Sequence, residues 1–328
     1  MTSPTHERVR PCTDLQAALD EELQVPGTRL HSIFPADAPR IATIEREGEW
    51  TRLDASPGAV AGEVARTAEP DVLVPGIQPD LVHVPFEDGP DAWTRGRAGM
   101  KYRDLIPGRL GGHVIASHIR IEEGGPVPDA VHHHAVRYQL IVCVRGWVRV
   151  VYEDQGEPFE MRAGDAVLQP PGIRHRVLES SPGLEVVEVA CPAEHRTTID
   201  HALTLPTPII DPTRDFGGQR FVRHVAAKSA WSPAEVTGLE QRDLGLGAAS
   251  NGTVRGRVLR VLEPLGNPTE RIGDLRILFV LQGSVRVRLQ DRTIDLTDGD
   301  ALTIPSRTTY AWSDASPDME VLEISAAS

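Results

Sequence analysis

Residues 138–154 read YQLIVCVRGWVRVVYED, and residues 276–292 read RILFVLQGSVRVRLQDR. Each stretch is a β-branched run of strand length, a Gly, and a second such run, which is how strands joined by a turn look in sequence. The correspondence continues outward on both sides. AWTRGRAGMKYRDL at 92–105 is echoed by AWSPAEVTGLEQRDL at 230–244, and GGHVIASHIRIEEG at 111–124 by SNGTVRGRVLRVLEPLG at 250–266. Downstream, AGDAVLQPPGIRH at 163–175 is echoed by DGDALTIPSRTTY at 298–310, and LEVVEVA at 184–190 by MEVLEIS at 319–325. The offset stays between 135 and 139 residues and the order is kept. Chance similarity does not preserve order and spacing together, so the chain carries one β-domain twice.

Gly (29) and Pro (27) punctuate short β-branched runs through all 328 residues, the spacing of an all-β sandwich or barrel. The first copy spans 81–203 and the second 219–328, with a linker at 204–218 marked by the Pro- and Thr-rich LTLPTPIIDPTRD at 203–215. Residues 1–80 lie outside the duplication. They hold the one stretch with a helix start signal and a helical apolar pattern, TDLQAALDEEL at 13–23, and are expected to add a short helix and edge strands.

A net charge of −13 argues against a nucleic-acid surface, because phosphate attracts Lys and Arg patches. The longest apolar runs, LIVCV at 140–144 and ILFVL at 277–281, fall far short of the ~20 residues of a membrane span. The N-terminus is polar and shows no secretory h-region. Cys12, Cys143 and Cys191 are odd in number without a CxxC spacing, which fits a reducing compartment. The expectation is a cytoplasmic protein that engages neither nucleic acid nor membrane.

The chemistry concentrates in VHHHAVRYQLIVCVRG at 131–146. Strand periodicity puts His132 and His134 on one face and His133 on the other. A break of parity before Gln139 lets Gln139, Ile141 and Cys143 look back at the histidine pair. A further imidazole comes from GDAVLQPPGIRH at 164–175, where Pro170, Pro171 and Gly172 turn the chain before His175.

These two stretches resemble the motifs of the cupin superfamily. The first is a Gly, HxH, an acidic residue and a Gly, here Gly125, His132-His133-His134, Gln139 and Gly146. The second is G, five residues, PxG, two residues and H, here Gly164, Pro170, Gly172 and His175. The resemblance covers both copies and implies a bicupin: two jelly-roll β-barrels in tandem with an N-terminal extension. It implies one divalent transition metal held by His132, His134, Gln139 and His175, with Fe(II) favoured and Zn, Mn or Ni as alternatives. It also implies a small-molecule substrate and a homodimer.

Counting back from Gly283 and on from Gly299 places Thr269, Arg271, Arg276 and Tyr310 at the ligand positions of the second copy. Guanidinium has donors and no lone pair, so this barrel is expected to bind no metal and to be structural, or to hold an anion through Arg271 and Arg276. In the first copy, Gln139 stands where the family places an acid. Three neutral imidazoles and an amide leave a divalent ion its full charge, which favours an anionic ligand in its open positions. The reading is a non-haem iron dioxygenase acting on a small anionic or enolisable substrate. The alternatives are a Zn-, Mn- or Ni-dependent lyase, isomerase, cyclase or decarboxylase, or a bicupin that binds a small molecule without catalysis.

Other residues carry weaker expectations. Arg137 could present its fork to a substrate carboxylate or sit in a rim salt bridge. Cys143 faces inward but is an ordinary small core residue. One of His113 and His118 could line the cavity. Glu185 and Glu188 have opposite parity and cannot pair on one face.

Overall fold

The computed structural model describes residues 6–66, 72–96, 99–266 and 268–327. Two seven-stranded sheets stand at its centre. The first orders Val222–His224, Ala166–Gln169, Tyr138–Arg145, Leu184–Cys191, Ile115–Ile121, Lys101–Asp104 and Thr94–Arg95. The second orders Ser232–Pro233, Leu239–Asp243, Val254–Val261, Glu320–Ala326, Leu275–Gln282, Ala301–Ile304 and Val82–Val84. Their outer faces share one core, in which Leu140, Val142, Leu168 and Val187 cluster with Ile277, Phe279, Leu322 and Ile324. These strands are covered on both faces, which is why LIVCV and ILFVL show no polar alternation.

The opposite face of each sheet lines a barrel. The first barrel is closed by Phe159–Arg162, Trp147–Tyr152, His175–Ser180, His132–His134 and Thr197–Ile199. The second is closed by Thr269–Arg271, Thr309–Ser313, Ser284–Arg288 and Thr293–Thr297. The result is two jelly rolls in tandem. The copies agree even in their irregularities, since the ladder slips between Cys143 and Arg145 and again between Val280 and Gln282. Gly146 and Gly283 follow with φ of 74° and 75°, and a Cβ on either would collide with the hydroxyl of Ser181 or Ser316. Only Gly meets both demands.

The sheets do not follow the linear division of the chain at 81–203 and 219–328. Val82–Val84 pairs with Ala301–Ile304 in the second copy's sheet, while Val222–His224 pairs with Ala166–Gln169 in the first. Each copy lends the other an edge strand.

The N-terminal segment packs a helix, Leu15–Leu23, against a small sheet. Asp14 caps the helix by accepting the Ala17 N–H at 3.0 Å, and Leu15, Ala18 and Leu19 bury against Ala42, Ile44 and Leu53. From this sheet Arg29–Phe34 pairs antiparallel with Thr197–Ile199, so the extension prolongs the sheet that carries the histidines. No helix among the described residues is long and apolar enough to cross a membrane.

Candidate metal centre

His132–His134 is a three-residue strand between His175–Ser180 and Thr197–Ile199. His132 lies opposite His175, and His175 opposite Tyr152 on the next strand, which sets the three in a row on the inner face. Ring centroids are 4.3 Å apart for His132–His175, 5.0 Å for His132–His134 and 5.2 Å for His134–His175. One ring nitrogen from each lies within 4.8 Å of the others, and all three residues are buried.

Each imidazole is oriented through its Nδ1. His132 bonds the Ala130 carbonyl at 2.8 Å, His175 the Ile173 carbonyl at 3.1 Å, and His134 the Thr197 hydroxyl at 2.9 Å. An Nδ1–H donated to oxygen leaves Nε2 with its lone pair, the tautomer a metal ligand needs. The buried Asp129 carboxylate stands 3.5 Å from His132 Nδ1 as a further anchor. His195 packs edge-on against His134 at 5.4 Å, and its own Nδ1 bonds the Pro192 carbonyl.

Gln139 approaches from the facing sheet, where it stands opposite Gln169. Its Oε1 is buried and meets no hydrogen-bond donor among the described residues. Such an orphan acceptor costs about 1–3 kcal/mol. An ion held by the imidazoles, or a donor on something bound to that ion, would satisfy it. Three Nδ1-anchored histidines and an orphan amide oxygen therefore fit a divalent transition metal.

The cavity beside this cluster is lined at one end by His134, His175, Gln139, Gln169, Tyr152 and Glu188, and elsewhere by aliphatic, Met and Tyr side chains. The centre of a water-sized molecule has about 70 Å³ to move in, room for several waters or a small organic molecule. Gln169 Nε2 donates to the Tyr152 hydroxyl at 2.8 Å, and burial pushes the Tyr152 phenol up, keeping it protonated.

The remaining candidates lie elsewhere. His133 is buried on the outer face as a packing residue. Arg137 is exposed and lines a separate surface depression with Val136, Pro171 and Gln219, so the structure does not bring it to the cavity. Cys143 joins the apolar cluster of the barrel, and burial pushes its thiol up to about 12, the reverse of an activated nucleophile. Neither His113, at the end of the short helix Arg109–Gly112, nor His118, on the strand Ile115–Ile121, lines the cavity. His113 Nδ1 bonds the Pro75 carbonyl at 2.8 Å, and His118 faces the second barrel, bonded to Glu185 at 2.8 Å and edge-on to Phe279. Glu185 and Glu188 do diverge. Glu188 looks into the cavity, and this inward polar residue, like Gln169 in AVLQ, was detectable by strand parity alone. Thr197, whose pairing with His134 depends on a long-range register, was not.

A family model described as a cupin domain matches residues 117–189. No curated protein sequence matches the chain. Among solved structures, a salicylate 1,2-dioxygenase from Pseudaminobacter salicylatoxidans is similar over 77% of this chain and 86% of that chain, with a TM-score of 0.57 and 17% identity. Oxalate decarboxylase from Bacillus subtilis is similar over 77% and 78%, with a TM-score of 0.55 and 14% identity. At these identities the likeness is one of fold, and both barrels take part in it. The chain has the fold of a bicupin.

This bicupin is asymmetric, and pairing corrects the alignment of its second site. Glu270 lies opposite Tyr310 as His132 lies opposite His175, so the counterparts are Glu270, Ile272, Arg276 and Tyr310, one residue on from Thr269 and Arg271. The set still offers no chelating cluster. The anion site suggested for Arg271 and Arg276 is not formed. Arg271 is exposed, whereas Arg276 turns inward to ion-pair with Glu270 and, at 3.2 Å, with Glu323, and donates to the Tyr310 hydroxyl at 3.0 Å. Arg257 Nε completes the network with Glu323 at 2.6 Å. Trp312 occupies the place that Val177 holds in the first barrel and is fully buried in the apolar cluster of the second.

Proposed function

We propose that the first barrel of this bicupin is a metal-dependent catalytic site, a non-haem iron dioxygenase for a small enolisable substrate. The observation that supports this reading is the set of three buried imidazoles, each tied through Nδ1, beside a cavity that His134 and His175 line. His132, His134 and His175 would hold the ion, with Gln139 completing or tuning its sphere. When bound, the ion would supply Lewis acidity and dioxygen activation. Because all four protein groups are neutral, the charge stays on the centre and draws the anionic form of the substrate toward it. Tyr152 accepts from Gln169, so its own O–H is available to donate to a substrate oxygen. The structural neighbour named a salicylate 1,2-dioxygenase supports the oxygenase reading, and the one named an oxalate decarboxylase supports a Lewis-acid reaction without oxygen.

The test is metal analysis of protein purified without added ions, followed by oxygen uptake on a panel of diketones and catechols. Iron near one per chain, with uptake that vanishes in the His132→Ala/His134→Ala double variant, supports the dioxygenase. Zinc or manganese with oxygen-independent turnover moves the reaction to Lewis-acid chemistry. Full turnover in the double variant eliminates both.

A further inference from the structure

Away from the imidazoles the cavity wall is hydrocarbon, with Ile119, Ile141, Val150, Met161, Val177 and Val186 facing it. Among the described lining residues there is no Lys or Arg, and the carboxylate present is Glu188. A compact dianion placed here would have the ion alone, with no Lys or Arg among the described lining residues, to offset its charge, and would face Glu188 in a low-dielectric space. A hydrocarbon arm, by contrast, would replace water along most of the wall. The second barrel shows what sets the available room. Trp312, at the position of Val177, is fully buried and takes up space in the apolar cluster of its barrel that the smaller Val177 leaves open in the first.

We propose that the first barrel takes a bidentate oxygen chelator of at most one negative charge, such as an enolate, carried on an apolar body whose size Val177 limits. The proposal rests on the metal reading above and narrows its substrate. Enolisable 1,3-dicarbonyl compounds with a hydrocarbon arm are admitted, and small dicarboxylates are refused.

The full chain loaded with Fe(II) under argon, where no turnover occurs, is titrated calorimetrically with 2,4-pentanedione, 2,4-heptanedione, 2,4-nonanedione and oxalate. Affinity should rise about fourfold per added methylene until the arm meets the end of the cavity. Oxalate should bind roughly tenfold or more weakly than 2,4-nonanedione, because it faces Glu188 and covers none of the hydrocarbon wall. Val177→Trp should erase the gain from the longer arm while iron content is unchanged, and Glu188→Gln should tighten oxalate. Affinity that is flat along the diketone series, or oxalate binding as tightly as 2,4-nonanedione to a chain that has kept its iron, overturns the proposal alone. Iron that separates from the wild-type chain on gel filtration overturns the metal reading and the proposal together. The wild-type series decides the matter even if Val177→Trp does not fold.

Discussion

His132 and His175 are directly opposed on neighbouring antiparallel strands, with their rings 4.3 Å apart. Their counterparts Glu270 and Tyr310 are opposed in the same way, and the Tyr310 hydroxyl donates to Glu270 at 3.1 Å. The backbone therefore builds the same meeting point twice. Side-chain chemistry alone decides whether an ion or an internal salt-bridge network occupies it.

Thr197 orients His134 through Nδ1. Thr197→Val should leave the fold intact and lower metal affinity by about 10–100-fold, the usual loss for such an outer partner. Competition against a chromophoric chelator measures it, and an unchanged affinity would show that the hydroxyl does not position the ring.

Gln139→Glu would add one negative charge beside the three imidazoles. The variant should hold its metal at least as tightly and bind azide more weakly than wild type, because the centre's net charge falls. Stronger azide binding would refute the argument from charge.

Glu323 is held above the ordinary carboxylate range, since burial raises it more than Arg257 and Arg276 lower it. The native state then keeps a proton that the unfolded chain has lost, so this group's contribution is full below the ordinary value and fades as pH rises through the raised one. Arg276→Met removes one of the two stabilising cations and should cost about 3–5 kcal/mol at pH 8 and less at pH 5. Urea melts at the two pH values give the comparison. A deficit that is larger at pH 5 would contradict it, while metal content should not change.

Cys143 and Cys191 are buried, with thiols pushed up to about 12 and about 11 by burial, whereas Cys12 is partly exposed. At pH 8 the native chain should react with at most one equivalent of a thiol reagent, and the denatured chain with all three. Rapid native labelling of Cys143 would mean that the barrel opens.

Much of this was readable from residues alone. The repeat of YQLIVCVRG in RILFVLQG marked the duplication, and strand parity separated His132 and His134 from His133 and Glu188 from Glu185. What sequence left hidden depended on register between distant strands. The one-residue offset that puts Glu270 in place of Thr269 lies in a loop whose length differs between the copies. The anchoring of His134 by Thr197 needs a strand pairing that no local pattern encodes. Arg137, for which a substrate contact and a rim position were both open, lies on the turn before Tyr138, where strand parity does not reach.

Because Val222–His224 completes the sheet that faces the imidazoles and Val82–Val84 completes the sheet of the other half, neither jelly roll is a separable module. Cutting the chain at its linker would strip each half of a border strand and expose unpaired main-chain groups to self-association. The half without chelating residues thus supplies the margin of the half that has them, and the two stand or fall as one.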